Sequence, residues 1–93
     1  LKVKTPKTPE GPLIMPPVHI GKECEVAKDS QVGPYAVLGD DCRIRSGAVV
    51  ENSILWEGVT IGSRATVQNS IIGNGVSIDS GEQVSDSSLL STG

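Results

Sequence analysis

The chain has 93 residues, a net charge of −3, one Tyr, one Trp and no Phe, so it is one small domain whose core cannot be built on aromatic rings. Its Lys and Arg are scattered without a basic stripe, which argues against nucleic acid as a partner. There is no signal-peptide pattern and no run of about 18 apolar residues, so no membrane partner is expected and the anticipated location is cytoplasmic.

Residues 1–13 carry three of the six prolines and no aliphatic rhythm, and they read as an extended Pro/Lys-rich linker. The sequence opens at Leu1 instead of Met, and a fragment of a longer protein is expected. From Ile14 a branched aliphatic residue recurs every six positions, through Ile20, Val26, Val32, Leu38, Ile44 and Val50. The beat continues with an occasional five-residue step through Leu55, Ile61, Val67, Ile72, Ile78, Val84 and Leu89. Such a period suits neither a straight strand nor a helix. It suits a chain that turns a corner every six residues and returns to the same face at every third corner. The expectation is an all-β fold, a single-stranded parallel β-helix of triangular section, over residues 14–90 in about four to five coils, with 91–93 as a tail.

Three aliphatic columns result: Ile20, Leu38, Leu55, Ile72 and Leu89; Val26, Ile44, Ile61 and Ile78; Ile14, Val32, Val50, Val67 and Val84. Stacked at about 4.8 Å per coil, they substitute for an aromatic core, each buried side chain contributing about 1.5–3 kcal/mol. Early coils take 18 residues and later ones 17, as Val50-Glu51-Asn52-Ser53-Ile54-Leu55 returns as Val67-Gln68-Asn69-Ser70-Ile71-Ile72 and then as Val84-Ser85-Asp86-Ser87-Ser88-Leu89. A second inward site follows each aliphatic residue by four. Small residues fill it at Cys24, Ser30, Ala36, Cys42, Ala48, Val59, Ala65 and Val76, and Ile54 and Ile71 are expected there on the shortened face. Gly21, Gly33, Gly39, Gly62 and Gly73 stand directly after aliphatic positions, where a corner would crowd a side chain.

Single residues outside this pattern carry the functional question. His19 reads as a solvated surface histidine, since no second His accompanies it. Cys24 and Cys42, 18 residues apart, should sit one above the other; free thiols are expected, although their spacing would also admit a bridge. Asp40, Asp41, Arg43 and Arg45 read as a solvated charged face. Asn52, Asn69 and Asp86 fall in one column at the shortened corner, expected to be structural through stacked amides. Trp56 replaces a corner glycine, either covering neighbouring corners or anchoring another subunit, and with Leu89 and Leu90 of the last coil it forms the candidate interface. Glu82 falls in the small inner column, where a carboxylate is expensive, so the prism is expected to loosen between Ser80 and Gln83.

With its block Asn52-Ser53-Ile54-Leu55-Trp56-Glu57-Gly58-Val59-Thr60-Ile61-Gly62 followed by Val67-Gln68-Asn69-Ser70-Ile71-Ile72-Gly73, the chain resembles the C-terminal left-handed β-helix of the sugar-nucleotide pyrophosphorylases. It is most similar to the tail of the bacterial mannose-1-phosphate guanylyltransferases and their adenylyl- and thymidylyltransferase relatives. The resemblance implies the left hand of the coil and a parent that joins a sugar 1-phosphate to a nucleoside triphosphate, releasing pyrophosphate. It places the catalytic Gly-rich loop, the basic residues and the Mg²⁺ carboxylates in an N-terminal nucleotidyltransferase domain. None of those motifs occurs here, so no catalytic, cofactor-binding or metal residue is assigned, and the implied role is assembly or regulation within a homo-oligomer. A subunit of a hexapeptide-repeat acyltransferase is the alternative, and a subunit of a translation-factor exchange complex of the same build stays open.

Overall fold

The computed structural model describes residues 12–89, in which fourteen short strands and no helix wind a β-solenoid of about five turns. The first sheet stacks β1 (Leu13–Ile14), β4 (Gln31–Val32), β7 (Val49–Glu51), β10 (Thr66–Gln68) and β13 (Gln83–Ser85). The second stacks β2 (Val18–Ile20), β5 (Ala36–Leu38), β8 (Ser53–Leu55), β11 (Ile71–Ile72) and β14 (Ser88–Leu89). The third holds β3 (Glu25–Val26), β6 (Arg43–Ile44), β9 (Thr60–Ile61) and β12 (Ser77–Ile78). All pairings are parallel and set each strand on its equivalent one coil away, as in Val32 on Val50 and Val50 on Val67. Strands of two or three residues have no stability alone. They persist because each backbone group is bonded to the coils beside it and each inward aliphatic is packed between two others.

The expected columns form the core, with Val32, Leu38, Ile44, Val50, Leu55, Ile61, Val67, Ile72 and Ile78 buried. Ile14 and Ile20, in the first coil, are each 37% exposed because, among the described residues, packing reaches them from one side only. Ala36, Cys42, Ala48, Val59 and Ala65 fill the second inward site as expected, with Ser30.

On the shortened face the structure corrects the sequence. Ile54 and Ile71 point outward, at 43% and 42% exposure, and Ser53 and Ser70 are buried in their place. The reason lies in the corner. A 17-residue coil turns there on one residue, Asn52 or Asn69, so the next strand begins at the serine, and alternation from Leu55 back makes Ser53 inward and Ile54 outward. Burial of the hydroxyls is compensated. Ser53 Oγ donates to the Glu51 carbonyl (2.8 Å) and accepts the Ser70 N–H (3.1 Å), and Ser70 Oγ donates to the Gln68 carbonyl (2.7 Å) and accepts the Ser87 N–H (3.1 Å). A serine ladder thus satisfies polar atoms inside the prism.

Corners turn on left-handed residues that stack in columns. Tyr35, Asn52, Asn69 and Asp86 (φ between 50° and 58°) form one such column, and Glu23, Asp41, Gly58 and Gly75 (58° to 70°) form another. Asn and Asp adopt this region at least cost among side-chain residues, which is why the tightest corner carries them. The Asn52 amide also donates to the Asn69 side-chain oxygen, and the Asn52, Asn69 and Asp86 N–H groups each donate to a carbonyl one coil below. Hydrogen bonds thus link the column from coil to coil. Asn52→Ala should cost about 1–2 kcal/mol through the left-handed backbone, and Asn52→Gly less, because glycine keeps the conformation and loses only the amide bond. Urea unfolding of both variants checks this order.

The prism does not loosen near Glu82. The Thr66 N–H donates to the Glu82 carbonyl (2.8 Å), β13 follows in register with β10, and Val84 is buried. Glu82 lies one coil beyond Ala65 in the last described turn, where its side chain is exposed and accepts the Asp79 N–H (2.9 Å) instead of entering the core. The linker and tail read from the sequence lie outside the described residues except for Pro12 and Leu13.

Cys24 and Cys42 are free thiols. Each donates to a corner carbonyl, Cys24 to Gly39 (3.1 Å) and Cys42 to Trp56 (3.0 Å). Burial pushes the Cys42 thiol up, and the neighbouring Cys24 adds to the rise. The folded thiol therefore ionises at higher pH than the unfolded one. Its contribution to stability is whole below the unfolded pKa and is lost as pH climbs through the folded pKa. Cys42→Ala should remove that alkaline loss, seen as a smaller drop in urea midpoint between neutral and alkaline buffer than in the parent chain.

Candidate functional site

Outward side chains decide what a solenoid can bind, and the three faces differ. The third sheet presents Glu25, Arg43, Thr60 and Ser77. The first presents Gln31, Val49, Thr66 and Gln83, and beside them Glu51 pairs with Gln68 (2.6 Å). The second sheet alone is apolar at its centre. Its outward column runs His19, Val37, Ile54, Ile71 and Ser88, and Val37, Ile54 and Ile71 are each 40–43% exposed.

Aromatic rings flank this stripe at its two edges. Tyr35 is 64% exposed at the corner that leads into β5, and Trp56 is 53% exposed at the corner that leaves β8. Between Tyr35 and the stripe lies an open groove of about 650 Å³, lined by Pro17, His19, Val37, Ile54 and Ile71 among others. A second of about 480 Å³ runs between the stripe and Trp56, bordered by Glu57 and Asn74. Both grooves share His19, Val37 and Ile54. They form one continuous surface.

Of the interface residues expected from sequence, Trp56 belongs to this surface. Its backbone is fixed on both sides, its N–H donating to the Ile72 carbonyl (2.9 Å) and its carbonyl accepting the Cys42 thiol (3.0 Å), so the exposed ring projects from a rigid corner. Leu89 is half-buried against the core at the end of its column, and Leu90 lies outside the described residues. Val37, Ile54 and Ile71 were not expected on the surface. Strict alternation back from Leu55 and Ile72 was the signal that would have placed the two isoleucines there.

The other candidates are dispersed. His19 is exposed at the lower end of the stripe. Asp40 accepts the Lys22 N–H (2.8 Å), Asp41 turns a corner, and Arg43 and Arg45 are exposed on and beyond β6. Among the described residues no three His, Cys, Asp or Glu side chains gather where a metal ion could be held. What the arrangement offers chemically is a flat apolar contact surface with aromatic edges.

Residues 14–93 match the family described as GMPPB C-terminal domain. No curated protein matches the chain.

Proposed function

Because the chain belongs to the GMPPB C-terminal domain family, we propose that it is the non-catalytic assembly domain of a sugar-1-phosphate nucleotidyltransferase of the GDP-mannose pyrophosphorylase type. The family and the parallel solenoid fit a left-handed β-helix at the C-terminus of such a protein. The observation that carries the assembly role is the one apolar outer face on a prism whose other faces are polar, since an exposed apolar patch of this kind marks a protein contact.

The backbone supports the same reading. Phosphoryl transfer needs N–H groups and cations converging on phosphate, whereas here the N–H groups are committed from coil to coil along all three sheets. Mg²⁺, the nucleoside triphosphate and the sugar 1-phosphate are ligands of the catalytic domain in this account. The solenoid holds such domains together. The family match favours this over an acyltransferase subunit.

Two measurements test the proposal. The purified chain, incubated with nucleoside triphosphates, Mg²⁺ and sugar 1-phosphates, should release no pyrophosphate above background. A parent protein lacking residues 14–93 should lose its assembly state in light scattering. Turnover by the isolated chain, or an unchanged assembly state after the deletion, would overturn it.

A further inference from the structure

We propose that Asn74 is a deamidation site, where the side-chain amide is lost and a carboxylate takes its place, and that the coil below sets the rate. The site stands independently of the assembly reading.

Deamidation needs a main-chain nitrogen that can reach the side-chain carbonyl carbon of the asparagine before it. Asn74 is the one asparagine followed by glycine; Asn52 and Asn69 precede Ser53 and Ser70, whose side chains crowd the attacking nitrogen. Nothing lies within 4 Å of a Cβ built at Gly75, whereas at Gly58, the same corner one coil below, the Cα and nitrogen of Gly75 are 3.8 Å away. Asn74 and Gly75 are both exposed. Water therefore reaches the peptide that must react.

The chemistry balances with water alone. Hydroxide takes the proton of the Gly75 N–H, the nitrogen attacks Asn74 Cγ, and the bond from Cγ to the side-chain nitrogen breaks, releasing ammonia and closing a cyclic imide. Water then opens the ring. Addition at Cγ leaves an ordinary aspartate, and addition at the Asn74 main-chain carbonyl carbon leaves an isoaspartate, whose Cβ has become part of the main chain.

Glu57 restrains the reaction from one coil below. The Gly75 N–H donates to the Glu57 carbonyl (2.9 Å), and the Asn74 side-chain oxygen accepts the Glu57 N–H (3.1 Å). Attacking nitrogen and attacked amide are thus tied to one residue, and ring closure has to break both bonds. Deamidation proceeds through local opening of that corner.

The two products act differently on the fold. Asp40, in the same corner column, already accepts the Lys22 N–H through Oδ1 (2.8 Å) as Asn74 accepts that of Glu57, so an aspartate fits the position. It adds a negative charge beside Glu57 at the rim of the groove that Trp56 borders. An isoaspartate instead lengthens the corner by one carbon and strains the register of β12 on β9 and of β13 on β10. One product recharges the contact surface and the other loosens the last coil.

Peptide mapping of the full chain through a time course in warm, mildly alkaline buffer, native and in urea, tests this. Asn74 should convert before Asn52 and Asn69, and at least about tenfold more slowly in the native chain than in urea. Gly75→Ala should slow conversion in urea, where only access to the nitrogen counts. Glu57→Pro removes the N–H that holds the side chain, and proline suits the turn position before a positive-φ glycine such as Gly58. Shown to be folded by circular dichroism, that variant should convert several-fold faster than the native parent. Native conversion as fast as in urea, or a folded Glu57→Pro no faster than the parent, overturns the restraint; should Glu57→Pro not fold, the parent in its two states decides. Conversion of Asn52 or Asn69 ahead of Asn74, or none at Asn74 in urea, overturns the site itself.

Discussion

Ile61→Asp should leave no folded domain. Ile61 is fully buried in the column of the third sheet, with Ile44 on one side and Ile78 on the other. A carboxylate placed there has no partner and must either stay charged in an apolar stack or bind a proton, at a cost of several kcal/mol in both cases. A domain of this size is held by about 5–15 kcal/mol, and the same change removes aliphatic packing with two coils at once. Lys28→Asp, on an exposed corner, should move stability by less than about 0.5 kcal/mol. Thermal melts followed by circular dichroism separate the two, and equal shifts would show that the column is not the core.

Gly39→Ala should be strongly destabilising although it adds a single methyl group. An added Cβ would lie 2.8 Å from the Trp56 carbonyl carbon and 3.0 Å from the Glu57 nitrogen. Both are backbone atoms held by side chains of neighbouring coils, the Trp56 carbonyl accepting the Cys42 thiol and the Glu57 N–H donating to the Asn74 side chain, so the coils must part at that corner. Overpacking of this kind costs about 1–3 kcal/mol, occasionally more, and Val at the same position should exceed it. Gly75→Ala isolates a different cause, because nothing lies within 4 Å of its Cβ but its φ is +70°; its cost should stay near 1–2 kcal/mol. Trp56 is the only tryptophan and sits directly above Gly39, so its emission should change for Gly39→Ala in the folded state and not for Gly75→Ala.

The contrast between those two glycines also marks what the sequence makes legible. Gly39 and Gly62 follow aliphatic residues, and the six-residue beat alone shows that a corner must pass there. Close approach then follows, and the structure has it at both. Gly47, Gly58, Gly75 and Gly81 serve another purpose, supplying positive φ. Their columns also contain Glu23, Asp41 and Arg64 in the same conformation, and no composition rule foretells a left-handed arginine. Likewise the columns of Val, Ile and Leu were readable because burial repeats faithfully, whereas the inward serines were not. Ser53 and Ser70 are tolerated inside only because each hydroxyl meets a carbonyl and an N–H, and that geometry comes from stacked corners. The misplaced isoleucines had a direct consequence for the site. Reading Ile54 and Ile71 as core removes the apolar stripe and leaves Trp56 isolated, whereas with both turned outward the ring becomes one edge of a contact surface.

The one-residue corner at Asn52 and Asn69 makes the upper coils interchangeable. From Leu38 onward the register advances by 17 residues at each turn on all three sheets. The coil is thus a quantum of length. Removing a whole turn would shorten the rod by about 4.8 Å and return every later residue to its own column, with the serine ladder and the left-handed corners rejoined. Removing one residue more or fewer would turn the following strands inside out, carrying polar side chains into the prism and aliphatic ones into water. Such a rod can lengthen or shorten by gene duplication and deletion in whole turns while its cross-section stays the same, so the reach between whatever it joins can change without the joint itself being rebuilt.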